Sequence, residues 1–239
     1  MNSVVDERFE TQVLDVCGVY HAAPQWAEQL IRVVSTDEMT GVQALERKHP
    51  DVPMTPGQAV RREVEYTRHG TLCFIVSRDV ATGQVVAPSV GRTRTEADFV
   101  QHIQGVVASD PDAKQWHVVA DNLNTHCSES LVRYVAEVSG ITSELGKKGK
   151  SGILKSVKTR AAFLSDASHR VVFHYTPKHA SWMNQVEIWF SIVARKVLKR
   201  GNFTSLEDLK AKVLAFIAYY NRTRAKPYKW TYTGRPLNV

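Results

Sequence analysis

The chain has 239 residues, of which 43% are hydrophobic and 23% charged, and this is the composition of a globular protein. It contains no run of about 18 apolar residues and no signal-peptide pattern at its N-terminus, so neither a membrane span nor export is expected. Three scattered cysteines, Cys17, Cys73 and Cys127, argue against a disulfide framework and indicate a reducing, cytoplasmic environment.

The net charge of +7 is divided unevenly along the chain. Residues 1–144 carry a net charge of −8, whereas residues 145–239 carry +15. A C-terminal part this basic favours a polyanionic partner, most often nucleic acid. A solvated basic face, or a face that contacts anionic lipid, remains an alternative.

The first predicted elements are short β-strands. A β-rich run covers residues 31–36 and ends at Asp37, and the segment GVQALERK predicts a further short strand directly after it. The segment 48–58 contains three prolines and a glycine, which predicts a loop. We make no helix or strand prediction for residues 1–27.

A hairpin and a helix follow. Residues 71–80 and 84–90 predict the two strands of the hairpin, with Gly83 in the turn between them. The apolar spacing of residues 95–108 predicts a helix, and Thr95 is suited to cap its N-terminus.

The rest of the chain alternates between strands and helices. The pattern predicts strands at 116–121 and 171–175, and helices at 128–140, 181–199 and 205–220. The last helix begins with a Thr204–Glu207 capping box, and the Gly/Lys/Ser-rich stretch 141–170 is an insertion at the sheet edge. This order predicts a single α/β domain with a mixed sheet.

Three carboxylates form the candidate site. Asp37 and Asp121 each follow a predicted strand, and ligand sites in α/β sheets gather at the carboxyl ends of strands. Glu187, in the apolar stretch SWMNQVEIWF, lies on a helix after the next strand. Three carboxylates repel one another unless a cation neutralises them, and oxygen ligands suit Mg²⁺ or Mn²⁺. The pattern therefore predicts a divalent metal site at this corner of the sheet.

Each of these acids also has an ordinary structural interpretation. Asp37 and Asp121 could each simply begin a turn. Glu187 could pair with Arg195 or Lys196, or lie on the solvated side of its helix. The D…D…E pattern alone does not decide between the interpretations.

Longer motifs resemble a known family. The segments VVADNLNTH, HYTPKHASWMNQVEIWFSIVARKVL and YNRTRAKPYKWTYTG resemble the catalytic part of bacterial insertion-sequence transposases of the Tc/mariner superfamily, the DDE type. The resemblance, which STDEMTGVQALER and EYTRHGT extend, spans about residues 8–236. It implies a ribonuclease-H-like fold, in which helices flank a mixed five-stranded sheet with an insertion before the last core strand.

The resemblance also implies an activity and its residues. The family cleaves and transfers DNA strands with two Mg²⁺ ions, for which Mn²⁺ can substitute, and it inserts at TA dinucleotides in double-stranded DNA. Its catalytic and metal-binding triad falls on Asp37, Asp121 and Glu187 here, with Asn122 and Asn184 as supporting partners. It favours a homodimer that acts on the nucleoid.

The chain departs from the family pattern in two places. The family usually has an N-terminal helix-turn-helix region that reads the transposon ends, and residues 1–30 show no such pattern, so we expect residues 1–239 to form a catalytic domain alone. In addition, 65 residues separate Asp121 from Glu187, which is more than usual. The excess falls on residues 141–170, an insertion also found in close relatives.

Basic and aromatic residues predict how DNA is contacted. We expect phosphate contacts from a basic arm and from a cluster beyond Glu187: Lys147, Lys148, Lys150, Lys155, Lys158 and Arg160, then Arg195, Lys196, Lys199 and Arg200. The alternative for the arm is a disordered, solvated loop. Tyr228, Trp230 and Tyr232 could stack on bases or pack beside the C-terminal helix, and packing is the commoner case.

Two other interpretations remain open, and a third is not expected. The chain could be a structure-selective nuclease without strand transfer, or a catalytically idle DNA-binding or dimerising remnant of a transposase. A zinc site built from His126, Cys127, His174 and His179 is not expected, because their spacing fits no familiar ligand set.

Overall fold

The computed structural model describes residues 7–49, 55–57 and 63–234. The strands in this part of the chain are β1 Ile31–Arg47, β2 Tyr66–Asp79, β3 Val85–Gly91, β4 Gln115–Ala120 and β5 Val171–Tyr175. The α-helices are α1 Glu7–Glu28, α2 Glu96–Ala108, α3 Glu129–Val138, α4 Val157–Leu164, α5 Val186–Val193 and α6 Leu206–Thr223. Most of the predicted loop at 48–58 lies outside the described residues.

The five strands form one mixed sheet with the order β3-β2-β1-β4-β5. β1, β2 and β3 are antiparallel neighbours, whereas β4 and β5 run parallel to β1 and are reached through helical crossovers. The sequence-based prediction of a mixed five-stranded α/β sheet is therefore confirmed. β1 is central, and its neighbour β4 ends at the candidate site.

Helices cover both faces of the sheet, because each strand buries side chains on both sides. α2, α3 and the 141–170 segment pack on one face, where Phe99, Leu131, Leu154 and Leu164 are fully buried in one apolar cluster. α1, α5 and α6 cover the other face through two further clusters. None of the helices in the described part of the chain has the length and apolarity needed to cross a membrane.

Several local predictions are confirmed. The β2–β3 hairpin turns at Gly83, whose φ of +78° is the left-handed conformation that glycine adopts readily. The Thr95 side chain accepts a hydrogen bond from the Asp98 amide and completes a capping box at the start of α2. β5 coincides with the predicted strand 171–175.

The first 47 residues differ most from the prediction. The two short strands are one 17-residue strand, β1, so Asp37 lies inside a strand and does not end one. The ladder continues through an irregularity between Met39 and Val42, where Gly41 has a φ of +64°. Helix α1 was missed, although Val13, Val16, Cys17 and Tyr20 have helical spacing and are buried.

Two helix predictions near the C-terminus need correction. The predicted helix 181–199 is broken: a 3₁₀ turn at Ser181–Met183 precedes α5, and a π-helical turn at Ala194–Leu198 follows it. The cap of α6 is Ser205, which accepts from the Asp208 amide, so the predicted Thr204–Glu207 capping box is wrong by one residue.

Candidate active site

Strand register places the two aspartates side by side. In the parallel β1–β4 pair, Ser35 of β1 lies opposite Val119 of β4. Asp37 lies two residues after Ser35, and Asp121 lies two residues after Val119, so the two carboxylates converge. Asp121 directly follows the end of β4, whereas Asp37 lies inside β1. Burial, together with the negative charge of Asp121, raises the pKa of Asp37 to about 7.

Glu187 reaches the same place from the first turn of α5. Its carboxyl group lies within hydrogen-bonding reach of Asp37, and burial and the charge of Asp121 raise its pKa. No ion pair within the described residues includes Glu187, so the alternative pairing with Arg195 or Lys196 is not seen. The structure thus brings the three predicted carboxylates into mutual electrostatic contact.

The two predicted supporting asparagines differ in what they contact. Asn184 is fully buried, and its Nδ2 donates to Asp37 Oδ2 at 3.2 Å and to the carbonyl oxygen of Thr36 at 3.0 Å. Asn122 instead donates to the carbonyl oxygen of Thr176 and so joins the ends of β4 and β5. Asn184 therefore contacts a carboxylate directly, whereas Asn122, next to Asp121 in sequence, contacts only the backbone.

His126 and Glu38 also lie at the candidate site, although neither was predicted to be part of it. The His126 ring is fully buried, with Nδ1 2.7 Å from Asp121 Oδ1 and Nε2 3.1 Å from Glu38 Oε1. Glu38 follows Asp37 in β1, and His126 lies in the 3₁₀ turn five residues after Asp121. Their nearness in sequence to the two aspartates was the available signal.

The buried His126 ring, which lies between Glu38 and Asp121, is positively charged. Burial alone would lower the pKa of His126, but its hydrogen bonds to Asp121 and Glu38 outweigh burial and raise the pKa to about 10. Burial would likewise raise the pKa of Asp121, and the contact with His126 lowers it below its usual value. Asp121 is therefore ionised at neutral pH.

The donor set suits a hard divalent cation in its chemistry. Asp37, Asp121 and Glu187 supply only carboxylate oxygens, and burial, together with the negative charge of Asp121, raises the pKa values of Asp37 and Glu187. As they stand, no three His, Cys, Asp or Glu side chains of the described residues are arranged to hold an ion. The side chains would have to close around one.

The predicted DNA-contacting residues fall into two groups. Nearly all are exposed: Lys147, Lys148, Lys150, Lys155, Lys158, Arg195, Lys196, Lys199 and Arg200. Arg160 is the exception, because its Nε donates to the Cys127 carbonyl oxygen at 2.6 Å and its Nη1 to that of Leu154 at 3.1 Å. Arg160 is buried, so its prediction as a phosphate contact is wrong.

The segment that carries these lysines is folded. A bridge between Lys147 and Ser151, a short 3₁₀ turn and helix α4 give it a defined path, with Leu154 and Leu164 in the core. The alternative of a disordered loop is therefore wrong. The segment packs as part of the domain.

The C-terminal aromatic residues pack against the domain. Tyr228 lies against Arg78, Trp230 against Tyr20, and Tyr232 against Trp182. The packing interpretation of this tail is confirmed.

Comparisons with known proteins identify a family and a similar fold. The sequence profile of the family described as DDE superfamily endonuclease matches residues 32–210. The fold is similar to that of the Mos1 mariner paired end complex with Mn, with a TM-score of 0.55 and 14% identity over 90% of this chain and 56% of that chain. No curated protein matches the chain significantly in sequence.

Two further Mos1 structures show the same fold. The catalytic domain of Mos1 mariner transposase gives a TM-score of 0.51 at 12% identity, over 91% of this chain and 85% of that one. A pre-cleavage Mos1 transpososome gives 0.51 at 15% identity, over 90% and 56%. The chain thus spans little more than half the length of the Mos1 chain in the paired-end and pre-cleavage complexes.

Proposed function

Because the chain belongs to the DDE superfamily endonuclease family, we propose that it is the catalytic domain of a DNA transposase. It cleaves a DNA phosphodiester and transfers the freed 3′-hydroxyl end to target DNA. The observation that supports this proposal is that the β1–β4 register and the first turn of α5 bring together Asp37, Asp121 and Glu187, the three acids on which the family motif falls.

Two divalent ions would be held by Asp37, Asp121 and Glu187. When bound, such ions stabilise negative charge on the attacking and leaving oxygens of an in-line phosphoryl displacement. Mg²⁺ is the expected ion and Mn²⁺ its substitute, and one of the similar Mos1 structures contains Mn. The role of the protein residues is to hold the three carboxylates at one point of the sheet.

The neighbouring residues keep these carboxylates ready for a cation. His126 fixes Asp121 from the interior side, while Asn184 donates to Asp37. Since positioning of the reacting groups accounts for much of the rate in phosphoryl transfer, these contacts support catalysis without touching DNA.

Double-stranded DNA is the proposed partner. The exposed cluster Arg195, Lys196, Lys199 and Arg200 follows α5 directly and can contact phosphates next to the carboxylates. The similar Mos1 structures include complexes with transposon ends. We expect a homodimer that joins two ends, inserts at TA dinucleotides and works on the nucleoid in the cytoplasm.

The test is nicking of supercoiled plasmid by the purified chain with Mg²⁺ or Mn²⁺. Asp37→Asn and Asp121→Asn should each lower the rate by about 1,000-fold or more, because each removes a proposed ligand charge. Asp112→Asn, on an exposed loop outside the site, is the matched control and should nick normally. Mg²⁺-dependent nicking at the full rate by either site variant would refute the assignment.

A second assay separates strand transfer from plain cleavage. DNA with a pre-cut 3′-hydroxyl end is supplied with a target plasmid, and joined product is measured. Joined product supports the transposase. Nicking without joining would support the structure-selective nuclease, and the absence of both would support an idle remnant.

A further inference from the structure

The chain changes direction just before Glu187. The 3₁₀ turn ends at Met183, and Asn184 adopts an extended conformation with φ −78° and ψ 106°, after which α5 begins at Val186. This break turns the Asn184 side chain toward Asp37 and starts a new helix whose first turn presents Glu187. The geometry of the third carboxylate therefore depends on residues 183–186.

Groups from distant elements hold the break in place. Tyr20 of α1 donates to the Met183 carbonyl oxygen at 2.9 Å and accepts from the Gln185 amide at 3.3 Å. Ser35 of β1 accepts from the Val186 amide at 2.9 Å. These bonds satisfy backbone groups that a continuous helix would have paired internally.

Arg78 of β2 holds the side chain of Gln185. Both residues are fully buried, and Arg78 Nη1 donates to Gln185 Oε1 at 3.0 Å. No ion pair in the described part of the chain includes Arg78, and the neighbouring Asp79 side chain accepts hydrogen bonds from Thr82 instead. A buried cation without a carboxylate is costly unless other groups compensate it.

The C-terminal tail, residues 225–234, supplies that compensation. Arg78 Nη2 donates to the Lys226 carbonyl oxygen at 2.8 Å, and the guanidinium lies 3.6 Å from the ring centroid of Tyr228. The tail lies close to the β2–β3 turn, since a Cβ atom built on Gly83 would fall 2.1 Å from the Lys226 oxygen. Its path is thus fixed against the hairpin as well as against Arg78.

The tail also reaches the other supports of the break. The Trp230 ring meets Tyr20 edge-on with centroids 4.9 Å apart, and its Nε1 donates to Cys17 Sγ at 3.5 Å. Tyr232 meets Trp182 in the 3₁₀ turn at 5.3 Å. The tail therefore contacts Arg78 and Tyr20, which bind the segment 183–186, and it also contacts Trp182 directly.

We propose that the C-terminal tail is a positioning element of the catalytic centre, and that Arg78 and Tyr20 transmit its effect to the break before Glu187. Among the described residues, no hydrogen bond or ion pair joins the tail to any of the three carboxylates. The tail fixes the Gln185 side chain through Arg78. Through Tyr20 it fixes the Met183 carbonyl and the Gln185 amide at the break. The inference rests on the proposed function, because it takes Glu187 as the third catalytic carboxylate.

The test compares Tyr228→Ala with Leu164→Ala. Tyr228→Ala removes the ring that faces Arg78, whereas Leu164→Ala weakens the core on the opposite face of the sheet. The first readout is amide hydrogen exchange of the full chain without DNA. Tyr228→Ala should speed exchange selectively in residues 183–190, and Leu164→Ala should not.

The second readout is the kinetics of plasmid nicking. Tyr228→Ala should lower kcat by about 10–100-fold with KM for DNA nearly unchanged, because misplaced reacting groups slow the chemical step and phosphate contacts remain. Tyr228→Phe should rescue most of the rate, since it keeps the ring that faces Arg78. Gly83→Ala, which displaces Lys226, should resemble Tyr228→Ala if both variants fold.

The two readouts separate the inference from the proposed function. If the wild-type chain does not nick DNA under any metal condition, the proposed function fails, and hydrogen exchange still decides the positioning inference. If Tyr228→Ala leaves exchange in 183–190 unchanged, or speeds it evenly along the chain, the inference is overturned and the tail is packing alone.

Discussion

The two sides of the carboxylate site are held by different kinds of contact. On the Asp121 side, a buried His126 five residues further along the chain binds both Asp121 and Glu38 through charge-assisted hydrogen bonds. On the Glu187 side, Arg78 binds Gln185 and the Lys226 carbonyl oxygen, which lie 107 and 148 residues away in sequence. One side is ionic and includes a contact between residues five apart in sequence, and the other is assembled from distant, mostly uncharged groups.

This difference predicts which changes in solution conditions or in sequence should affect each side. Because the Asp121 side depends on a buried charge, it should respond to pH, to divalent ions and to loss of the cation. Because the Glu187 side depends on packing of the tail, it should respond to substitutions in α1, β2 and the tail. Substitutions can therefore separate the two sides.

The largest effect is expected from removing the cation on the Asp121 side. His126→Leu leaves the Glu38 carboxylate, whose side chain is only 2% exposed, without a partner. We expect a loss of about 3–5 kcal/mol in the free energy of unfolding, measured by urea denaturation. His21→Leu, at an exposed position, serves as the control and should change stability little.

A double variant checks the reason for that loss. Glu38→Gln combined with His126→Leu removes the orphaned charge, so the double variant should be more stable than His126→Leu alone. A loss below about 1 kcal/mol for His126→Leu would mean that the bridge is not what holds this side.

A smaller effect is expected from the buried arginine of the 141–170 segment. Arg160 donates to the Cys127 carbonyl oxygen, directly after His126, so it supports the Asp121 side. Arg160→Leu should cost about 2 kcal/mol in unfolding free energy and leave the salt dependence of DNA binding unchanged. Substitution of the exposed Lys158 should instead leave stability unchanged and alter the salt dependence of DNA binding.

The matched measurement is made on Lys158→Ala. This variant should keep its stability within about 0.5 kcal/mol and lower the slope of log K against log salt by about 1 if Lys158 contacts a phosphate. A reduced salt slope for Arg160→Leu would restore that residue as a DNA contact and contradict its structural role.

The smallest effect concerns pH. In the metal-free protein the pKa of Asp37 is raised to about 7, against about 3.9 in an unfolded chain. Between these values the Asp37 carboxyl binds more protons in the folded state than in the unfolded state, so its contribution to stability falls as pH rises from about 4 to 7. Buried His102 and His117, whose pKa values are lowered to about 3 and about 4, contribute in the opposite direction, so the decline due to Asp37 is read from the difference in Tm between wild type and a variant in EDTA.

Asp37→Asn tests the source of that decline. From pH 5 to 6.5, below the range in which the raised pKa of His126 contributes, the Tm of the variant should fall less with pH, or rise more, than that of the wild type. Tyr228→Ala, on the Glu187 side, should keep the wild-type slope. An unchanged slope in Asp37→Asn would show that the pH dependence arises elsewhere.

Much of the local structure could be predicted because its causes are local. The apolar spacing of residues 95–108 and the Thr95 cap specify α2, and Gly83 between two β-rich runs specifies the hairpin. Asp37 and Asp121 were predicted to converge, and the β1–β4 register brings them together. Helix α1 was missed, although the apolar spacing of its buried residues is visible in the sequence.

The sequence by itself indicated the sheet-forming runs, the Thr95 cap of α2, the division of charge and the three candidate acids. Only the tertiary structure decided that Arg160 and Arg78 are inside the protein, that His126 bridges two carboxylates, and that the tail reaches the segment before Glu187. The physical reason is that propensity and caps act within a few residues. Whether a charge is buried, and what then compensates it, depends on groups that are far apart along the chain.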